Sequence, residues 1–524
     1  KLYHRSQIRR LAPFFQGFHK ALTQRLSPGK DNPDIVLLSP GPNSHIYFEH
    51  AMLSRYLGYP LVEGQDLTVR NGKVFLKKLT GLEPVEAIFR HIDDRESDPF
   101  SLRQESITGI AGLIQVCREQ NIDIVNPIGS GFIDTPALAC LLPVLCRDLT
   151  GKTLLLQNHP RWWCSSDEGM LHLGENIPGR TLSSALNHEQ HATPQQDLVK
   201  KARIEPYKYL LSEPVVPSYA PGWGDNGAVG SYCMMRVFAC ATEYGFSVLP
   251  GGLAVTSPDI QSLLTSTPEQ QQSKDIWVIS AEPVDPFSML ADFSAIPQFK
   301  RSSDLPNRVA DNLLWIGRYL ERAEGLIRLL RAVFECLSGE DRPEEIPELQ
   351  FLLNILREKQ IIPKNSIAGD SQNVETKLLR HLEEALYNTN HPGSVQSILR
   401  NVRHTAHKVR DRMSIDSTRV INRLEEFRAN RHGDTLNQLD QTLFTLSAFS
   451  GLAMESMTRG LGWRFMDMGR RLERAMSLSS LIRVSCGQLC ESSFYTLQAL
   501  LKISDSLMTY RGRYRSAFQV APVL

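Results

Sequence analysis

Gly317-Arg318-Tyr319-Leu320-Glu321-Arg322-Ala323 returns as Gly469-Arg470-Arg471-Leu472-Glu473-Arg474-Ala475, with six of seven positions unchanged. Around the first copy, Leu313, Ile316, Leu320, Ala323, Ile327, Leu330 and Phe334 alternate in steps of three and four, which puts one apolar stripe on one helix face. Phe465, Met468, Leu472, Ala475 and Ile482 fall in the same register around the second copy. The repeat therefore predicts two long related helices. Glycine inside a helix costs about 1 kcal/mol against alanine, so Gly317 and Gly469 call for a neighbouring backbone that comes close. Arg318 lies one turn from Glu321 and Arg322, where ion pairing is geometrically easy. The plain reading is that these residues stitch a bundle together; the alternative is an anion site or partner surface made by Arg318, Arg322, Arg470 and Arg474.

Working outward, the chain changes texture near residue 295. Strands and helices alternate up to about residue 285. The expected elements are a helix over 1–28, a buried strand at Asp34–Leu38, a helix through Tyr47 to Gly58, and a hairpin from Leu67 to Leu76 turning at Asn71-Gly72, where both positions need positive φ. Further strands are read at Ala87–Ile92 and Ile122–Val125, and a helix from about Thr135. Paired strands are read at Met234–Ala241 and Phe246–Leu249. After a linker-like stretch, 303–524 reads as an all-α bundle of roughly six helices of 10–25 residues. Leu436, Leu439, Leu443 and Leu446 give one further heptad-like face. The fold class is thus an α/β region with a mixed sheet over 1–295, followed by an all-α helical bundle over 303–524.

Length and composition narrow the function. A chain of 524 residues exceeds one ordinary core. Lysine plus arginine (58) and aspartate plus glutamate (57) nearly cancel, so no nucleic-acid partner is indicated. No apolar run reaches the ~20 residues that span a bilayer, so no membrane partner is expected. The nine cysteines are odd in number, scattered and without Cys-x-x-Cys. Most sit in apolar runs, Cys486 and Cys490 among them in a helical stretch of core, and a reducing cytoplasm fits best. The start, Lys1-Leu2-Tyr3-His4, has no initiator methionine and no signal-peptide stretch, and is read as lacking upstream residues.

The acidic cluster Arg90-His91-Ile92-Asp93-Asp94 ends a strand, with Asp98 and Arg103 close behind. Carboxylates mixed with arginines at strand ends suit the binding of amines and phosphates in the crevice of an α/β sheet; the alternative is solvated loop charge. Gly129-Ser130-Gly131 follows a strand and precedes a helix, where backbone N–H groups can cradle an anion or form a plain tight turn. His188-Glu189-Gln190-His191 spaces its histidines three apart, not the four a zinc-binding helix needs, so no metal ligand is assigned. Cys164, after Trp162-Trp163, has no partner histidine and is not read as a nucleophile. The basic run from Arg400 to Arg428 reads as a solvated helix face.

Both halves resemble known bacterial families. Asn307-Arg308 through LLWIGRYLERAE, and ESMTRGLGWRFMDMGRRLERA at 455–475, resemble the alpha-E domain. LAPFF at 11–15, the run from Ser39 to Leu82, RHIDDRESDPFSLRQES at 90–106, NPIGSGFIDTPAL at 126–138, RWWC at 161–164 and MRVFACATEYGFSVLPGGLA at 235–254 resemble the C-terminal two thirds of circularly permuted ATP-grasp proteins. That resemblance implies an ATP-dependent carboxylate–amine ligase, with ATP and Mg²⁺ as cofactors. A carboxylate is phosphorylated and an amine attacks the acyl phosphate, giving an amide.

The resemblance also implies catalytic contact from Arg90, Asp93, Asp94 and Arg103. Asp98, Asn126, Gly129, Ser130, Gly131 and Arg236 would bind substrate or phosphate. The partners would be a small carboxylate and an amine, or a peptide, and a protein for the helical domain. The family's metal-binding Asp, Glu and Asn fall before Lys1, and its Ile-Lys-Pro strand and glycine-rich loop have no counterpart at 167–205. Its adenine-side Gln-Glu is here Ser212-Glu213. Either ATP binding is rebuilt from Arg180, Lys200 or Lys201, or this copy is a degenerate, non-catalytic scaffold for a partner ligase or peptidase.

Overall fold

The computed structural model describes residues 6–26, 34–175, 179–187, 195–224, 227–243, 245–264, 271–284, 287, 305–339, 345–364, 371–429, 434–488, 494–514 and 517–523. In chain order the first elements are α1 (Ala12–Leu26), β1 (Ile35–Leu38), α2 (Tyr47–Leu57), β2 (Leu61–Val62), β3 (Leu67–Arg70), β4 (Lys73–Lys78) and β5 (Gly81–Pro84). Next come β6 (Ala87–Arg90), α3 (Leu113–Arg118), β7 (Asp123–Val125), α4 (Leu138–Thr150), β8 (Arg161–Trp163), α5 (Asp167–Gly174), β9 (Thr181–Ser184), α6 (Gln195–Ile204) and β10 (Tyr209–Ser212). The strands β11 (Ser218–Gly224), β12 (Gly227–Arg236), β13 (Ala239–Thr242), β14 (Gly245–Val248) and β15 (Gly251–Ser257), then α7 (Ile260–Leu264) and β16 (Gln272–Trp277), complete the α/β part. From there on the described elements are helical: α8 (Asn307–Leu337), α9 (Pro347–Glu358), α10 (Ser371–Tyr387), α11 (Val395–Lys408), α12 (Ile415–Asn422), α13 (Glu426–Ala429), α14 (Thr435–Ser456), α15 (Leu461–Gln488), α16 (Phe494–Ile503), α17 (Leu507–Arg513) and α18 (Val520–Val523). The fold class is therefore the one expected, α/β with several sheets followed by an all-helical region. No described helix is long and apolar enough to cross a membrane.

The chain forms two compact units, residues 1–36 with 85–298, and residues 37–84 with 299–524. In the first, β6 and β7 pair in parallel, Ile88 opposite Ile124. The strands β8, β10 and β9 form an antiparallel sheet over a small core of Cys164, Leu173, Leu182, Leu198 and Leu211. A second antiparallel sheet runs β11-β12-β15-β16. Of the helix expected over 1–28, the described residues show Ala12–Leu26, with Ser6 to Leu11 non-helical and 1–5 and 27–28 outside the described residues. Pro13 is tolerated in a first turn but would break a helix running through it, and Ile8 instead bridges Ile279. The strand expected over Met234–Ala241 is two strands: β12 leaves its neighbour β15 after Arg236 pairs with Leu253, and β13 then pairs with β14.

In the second unit, Asn71 (φ 49°) and Gly72 (φ 68°) turn the expected hairpin, with Arg70 opposite Lys73. The meander β3-β4-β5 and helix α2 belong with the helical bundle. Arg308 donates through Nε to both carboxylate oxygens of Asp66, at 3.1 and 2.9 Å, and its Nη1 lies 2.9 Å from Glu63. Tyr47 donates its hydroxyl to the Lys408 carbonyl and Arg55 reaches the Met413 carbonyl. One hydrophobic cluster runs through the helices, with Leu313, Ile316, Leu320, Leu353, Leu382, Val402, Leu439 and Leu446 among its buried members.

The repeat lies at the centre of this unit. Helices α8 and α15, 31 and 28 residues long, exceed the 10–25 expected. They run side by side in the same direction: Gly462 meets Leu313, Gly317 lies between Met466 and Arg470, and Arg322 reaches Glu473. A Cβ on Gly317 would stand 2.1 Å from the Met466 carbonyl oxygen, and one on Gly469 would stand 2.0 Å from that of Leu314. Each clash is the other moved by 152 residues, so the motif pairs about a local two-fold. The ion pairs obey the same symmetry. Arg318 and Arg322 grip Glu473 at 2.8 and 2.7 Å, while Arg474 and Arg470 grip Glu321 at 2.6 and 3.5 Å. Burial opposes ionisation of Glu473, but Arg322 and Arg318 outweigh it and hold the carboxyl below its ordinary value. The four arginines thus stitch the crossing.

The second apolar stripe departs from expectation. Phe465 is half-buried, but Met468, Leu472, Ala475 and Ile482 are exposed, and α15 buries Met466, Gly469, Glu473, Leu481 and Ser485 instead. Cys486, expected in the core, is exposed, and Cys490 lies outside the described residues.

Candidate functional site

The carboxyl ends of the parallel strands β6 and β7 open into two loops, 91–98 and 126–134, where α/β sheets commonly hold ligands. Arg90 joins them. Its Nε donates to the Asn126 carbonyl at 3.1 Å, Nη1 to Ile92 at 2.6 Å and Nη2 to Pro127 at 3.1 Å, and Nη2 pairs with Asp94 at 2.6 Å. The side chain is 6% exposed. Its planar fork suits three carbonyls from separate segments, and this makes it a rivet between loops.

The neighbouring carboxylates are equally engaged. Asp94 accepts the Gly131 N–H at 2.9 Å, and a Cβ on Gly131 would stand 2.6 Å from that same oxygen. Gly129 takes φ 97° to begin the 3₁₀ turn Ser130–Asp134, and the Ser130 and Phe132 N–H groups close onto Pro127 and Gly129. Of the N–H groups read as an anion cradle, those of Ser130 and Gly131 are thus bonded within the chain, the second to a carboxylate. Asp98, 0% exposed, accepts the N–H groups of Phe100, Gly112 and Ile114 and so ties its loop to the start of α3. Asp93 accepts the Arg95 N–H, and Arg103, largely exposed, pairs with Glu96 at 2.5 Å and Glu105 at 3.5 Å.

Arg90, Asp94, Asn126, Gly129, Ser130 and Gly131 are therefore brought together, and Asp93, Asp98 and Arg103 flank them. Asn126, Gly129 and Gly131 face solvent beside exposed Phe132 and Ile133. No hydrogen bond or ion pair ties Arg236 to this cluster. It sits exposed at the end of β12, and among the described residues its guanidinium has no partner.

His91, which sequence reasoning passed over, packs its ring 4.4 Å from Phe89. Burial, reinforced by Arg90, pushes its imidazole down to about 4, so it is neutral at pH 7. Its only signal in the sequence is its position at a strand end beside an arginine.

The residues considered for rebuilding an ATP site are placed differently. Arg180 pairs with Glu175 at 3.0 Å, donates to the His172 carbonyl and stacks over Trp162. Lys200 and Lys201 are exposed on α6. Burial pushes the Cys164 thiol up to about 11, which leaves it inert. His188, Glu189, Gln190 and His191 lie outside the described residues. Among the described residues no three histidine, cysteine or carboxylate side chains converge on one point.

Two family models match the chain. Circularly permuted ATP-grasp type 2 matches residues 1–257, and Alpha-E, a predicted alpha-helical domain with a conserved ER motif, matches residues 305–524. The Glu-Arg pairs of the repeat, Glu321-Arg322 and Glu473-Arg474, lie in the second. An uncharacterized protein of Mycobacterium tuberculosis is 29% identical over 100% of this chain and 62% of its own length. One of Synechocystis is 27% identical over 47% of this chain and 53% of its own length, and one of Mycobacterium leprae 27% over 53% and 51%. The chain thus spans 62% of the length of the Mycobacterium tuberculosis relative.

Proposed function

Because residues 1–257 are a circularly permuted ATP-grasp type 2 domain and residues 305–524 an Alpha-E domain, we propose that the protein takes part in ATP-dependent joining of a carboxylate to an amine. The riveted loops at the ends of β6 and β7 would form one wall of the substrate cleft. The observation that carries this reading is the cross-bracing of both loops by Arg90 and Asp94 at the carboxyl end of a parallel pair. Such bracing fixes loop atoms before substrate arrives, as oriented catalysis requires.

Asp93 and Arg103, at the rim, and Asn126 and Ser130, on the open loop, are the side chains that would meet the amine and carboxylate. Arg90, Asp94 and Asp98 would position them.

Calorimetric titration with Mg·ATP, run on this chain and on the longer Mycobacterium tuberculosis relative, tests the reading. Binding by the relative, with ADP release that depends on the aspartate aligned with Asp93, supports it. Absence of nucleotide binding by both proteins sinks it. The second reading is a non-catalytic scaffold, favoured by the internal engagement of Arg90, Asp94 and Asp98; that negative result is the one it predicts.

A further inference from the structure

The outer face of α15 bears Met468, Leu472, Met476 and Ile482, which are 46, 45, 53 and 40% exposed. Moved by 152 residues, these positions are Ile316, Leu320, Glu324 and Leu330 of α8, which are 0, 1, 4 and 0% exposed. On α8 the middle of the row meets α14: Leu320 lines a cleft with Phe449, Ser450 and Ala453, and Ser450 donates to Glu324 at 3.4 Å. No described helix takes the equivalent place on α15, although the two helices share motif, direction and local symmetry.

The edges of the open row are basic. Arg464, Arg471 and Arg483 are exposed along it; Arg471 pairs with Asp467 at 2.7 Å and Arg483 lies 3.8 Å from Glu358, and both keep most of their side chain open to solvent. The acidic residues of α15 are both engaged, Asp467 with Arg471 and Glu473 with Arg318 and Arg322.

We propose that this face docks an amphipathic helix with acidic flanks from a partner protein, standing to α15 as α14 stands to α8. The apolar row supplies i, i+4, i+8 anchor positions for a helix laid along it. Met468 and Met476, unbranched and polarizable, mould to a range of side chains. Arginines on both edges select a partner bearing carboxylates. Two copies of this chain joined face to face would set these arginines against one another, so a second copy is the poorer occupant.

The test uses two labelled helical peptides of about 20 residues. Each carries Leu and Ile at i, i+3, i+4 and i+7, one with Glu flanks and the other with Lys flanks, and each is titrated with the full chain by fluorescence anisotropy. The Glu-flanked peptide is expected to bind at least about tenfold more tightly. Leu472→Glu should weaken it by a further factor of about ten without moving the thermal unfolding midpoint, and the double variant Arg471→Glu/Arg483→Glu should reverse the preference. Equal binding of the two peptides, no binding, or indifference to Leu472→Glu overturns the proposal. Two further outcomes overturn it by naming another occupant: dimerisation of the chain abolished by Leu472→Glu, or binding to phosphatidylglycerol–phosphatidylcholine vesicles abolished by it.

Discussion

Helices α8 and α15 carry the same motif and grip each other through equivalent atoms, yet one lies inside the bundle and the other at its side. Around α8, Leu313, Ile316, Leu320, Ala323, Ile327 and Leu330 are all buried. On α15 the corresponding stripe faces solvent, and the helix is held through Met466, Gly469 and Glu473. The motif therefore encodes the contact between the two helices and not the placement of either. What places α8 at the centre is the extra cover of α14 and the other helices on its remaining faces.

The equivalence of the crossing is tested most severely by Gly317→Ala and Gly469→Ala. Each puts a methyl against a backbone carbonyl that cannot yield, so each is expected to cost more than about 3 kcal/mol in urea unfolding, and by similar amounts. A marked inequality would break the symmetry argument. Next in size, Leu320→Ala should cost about 3 kcal/mol while its twin Leu472→Ala costs less than about 0.5 kcal/mol, which measures the difference in burial directly.

Third, Glu473→Ala strands Arg318 and Arg322 and should cost about 2 kcal/mol; Glu321→Ala should cost about half that, since Glu324 remains near Arg470 at 3.4 Å. Smallest is Glu324→Met, which copies its twin Met476. Burial raises the Glu324 carboxyl above its ordinary value, though Arg470 offsets part of the effect. The folded protein thus takes up this proton more readily than the unfolded chain, and the ionised side chain is a cost at neutral pH that vanishes below the ordinary carboxylate range. The variant should gain about 1 kcal/mol at pH 7 and nothing at pH 4, by thermal unfolding at both values.

Much of this was legible in the sequence. Repeat spacing announced two related helices, their glycines a close backbone approach and their Arg/Glu pairs the stitching. Asn71-Gly72 announced its turn, because positive φ at both positions is a local demand. Position around a core is not local. The stripe of α15 has the right period, but a period says only that a helix has an apolar side, not that anything covers it.

The same limit governs the loops after β6 and β7. Their charges read as a cluster, yet the role of Arg90 depends on the carbonyls of Asn126 and Pro127, some 36 residues away, and carbonyls carry no sequence signature. His91 was hidden for a related reason: its neutrality comes from burial against Phe89, which only the fold supplies. Helix α4 shows the reverse case. Its Leu-Ala-Cys-Leu-Leu-Pro-Val-Leu run is strongly apolar, yet none of its residues is buried.

The glycine crossing has a mechanical consequence. Sliding either helix by one residue, about 1.5 Å along its axis, would bring a Cβ into the space that only a glycine leaves open and pull the flanking ion pairs out of reach. Translation is therefore blocked in both directions. Rotation about the point where Gly317 and Gly469 meet keeps both glycines in place and moves the helix ends in opposite senses. The crossing is a pivot, and any movement transmitted along these two helices would travel through it as leverage.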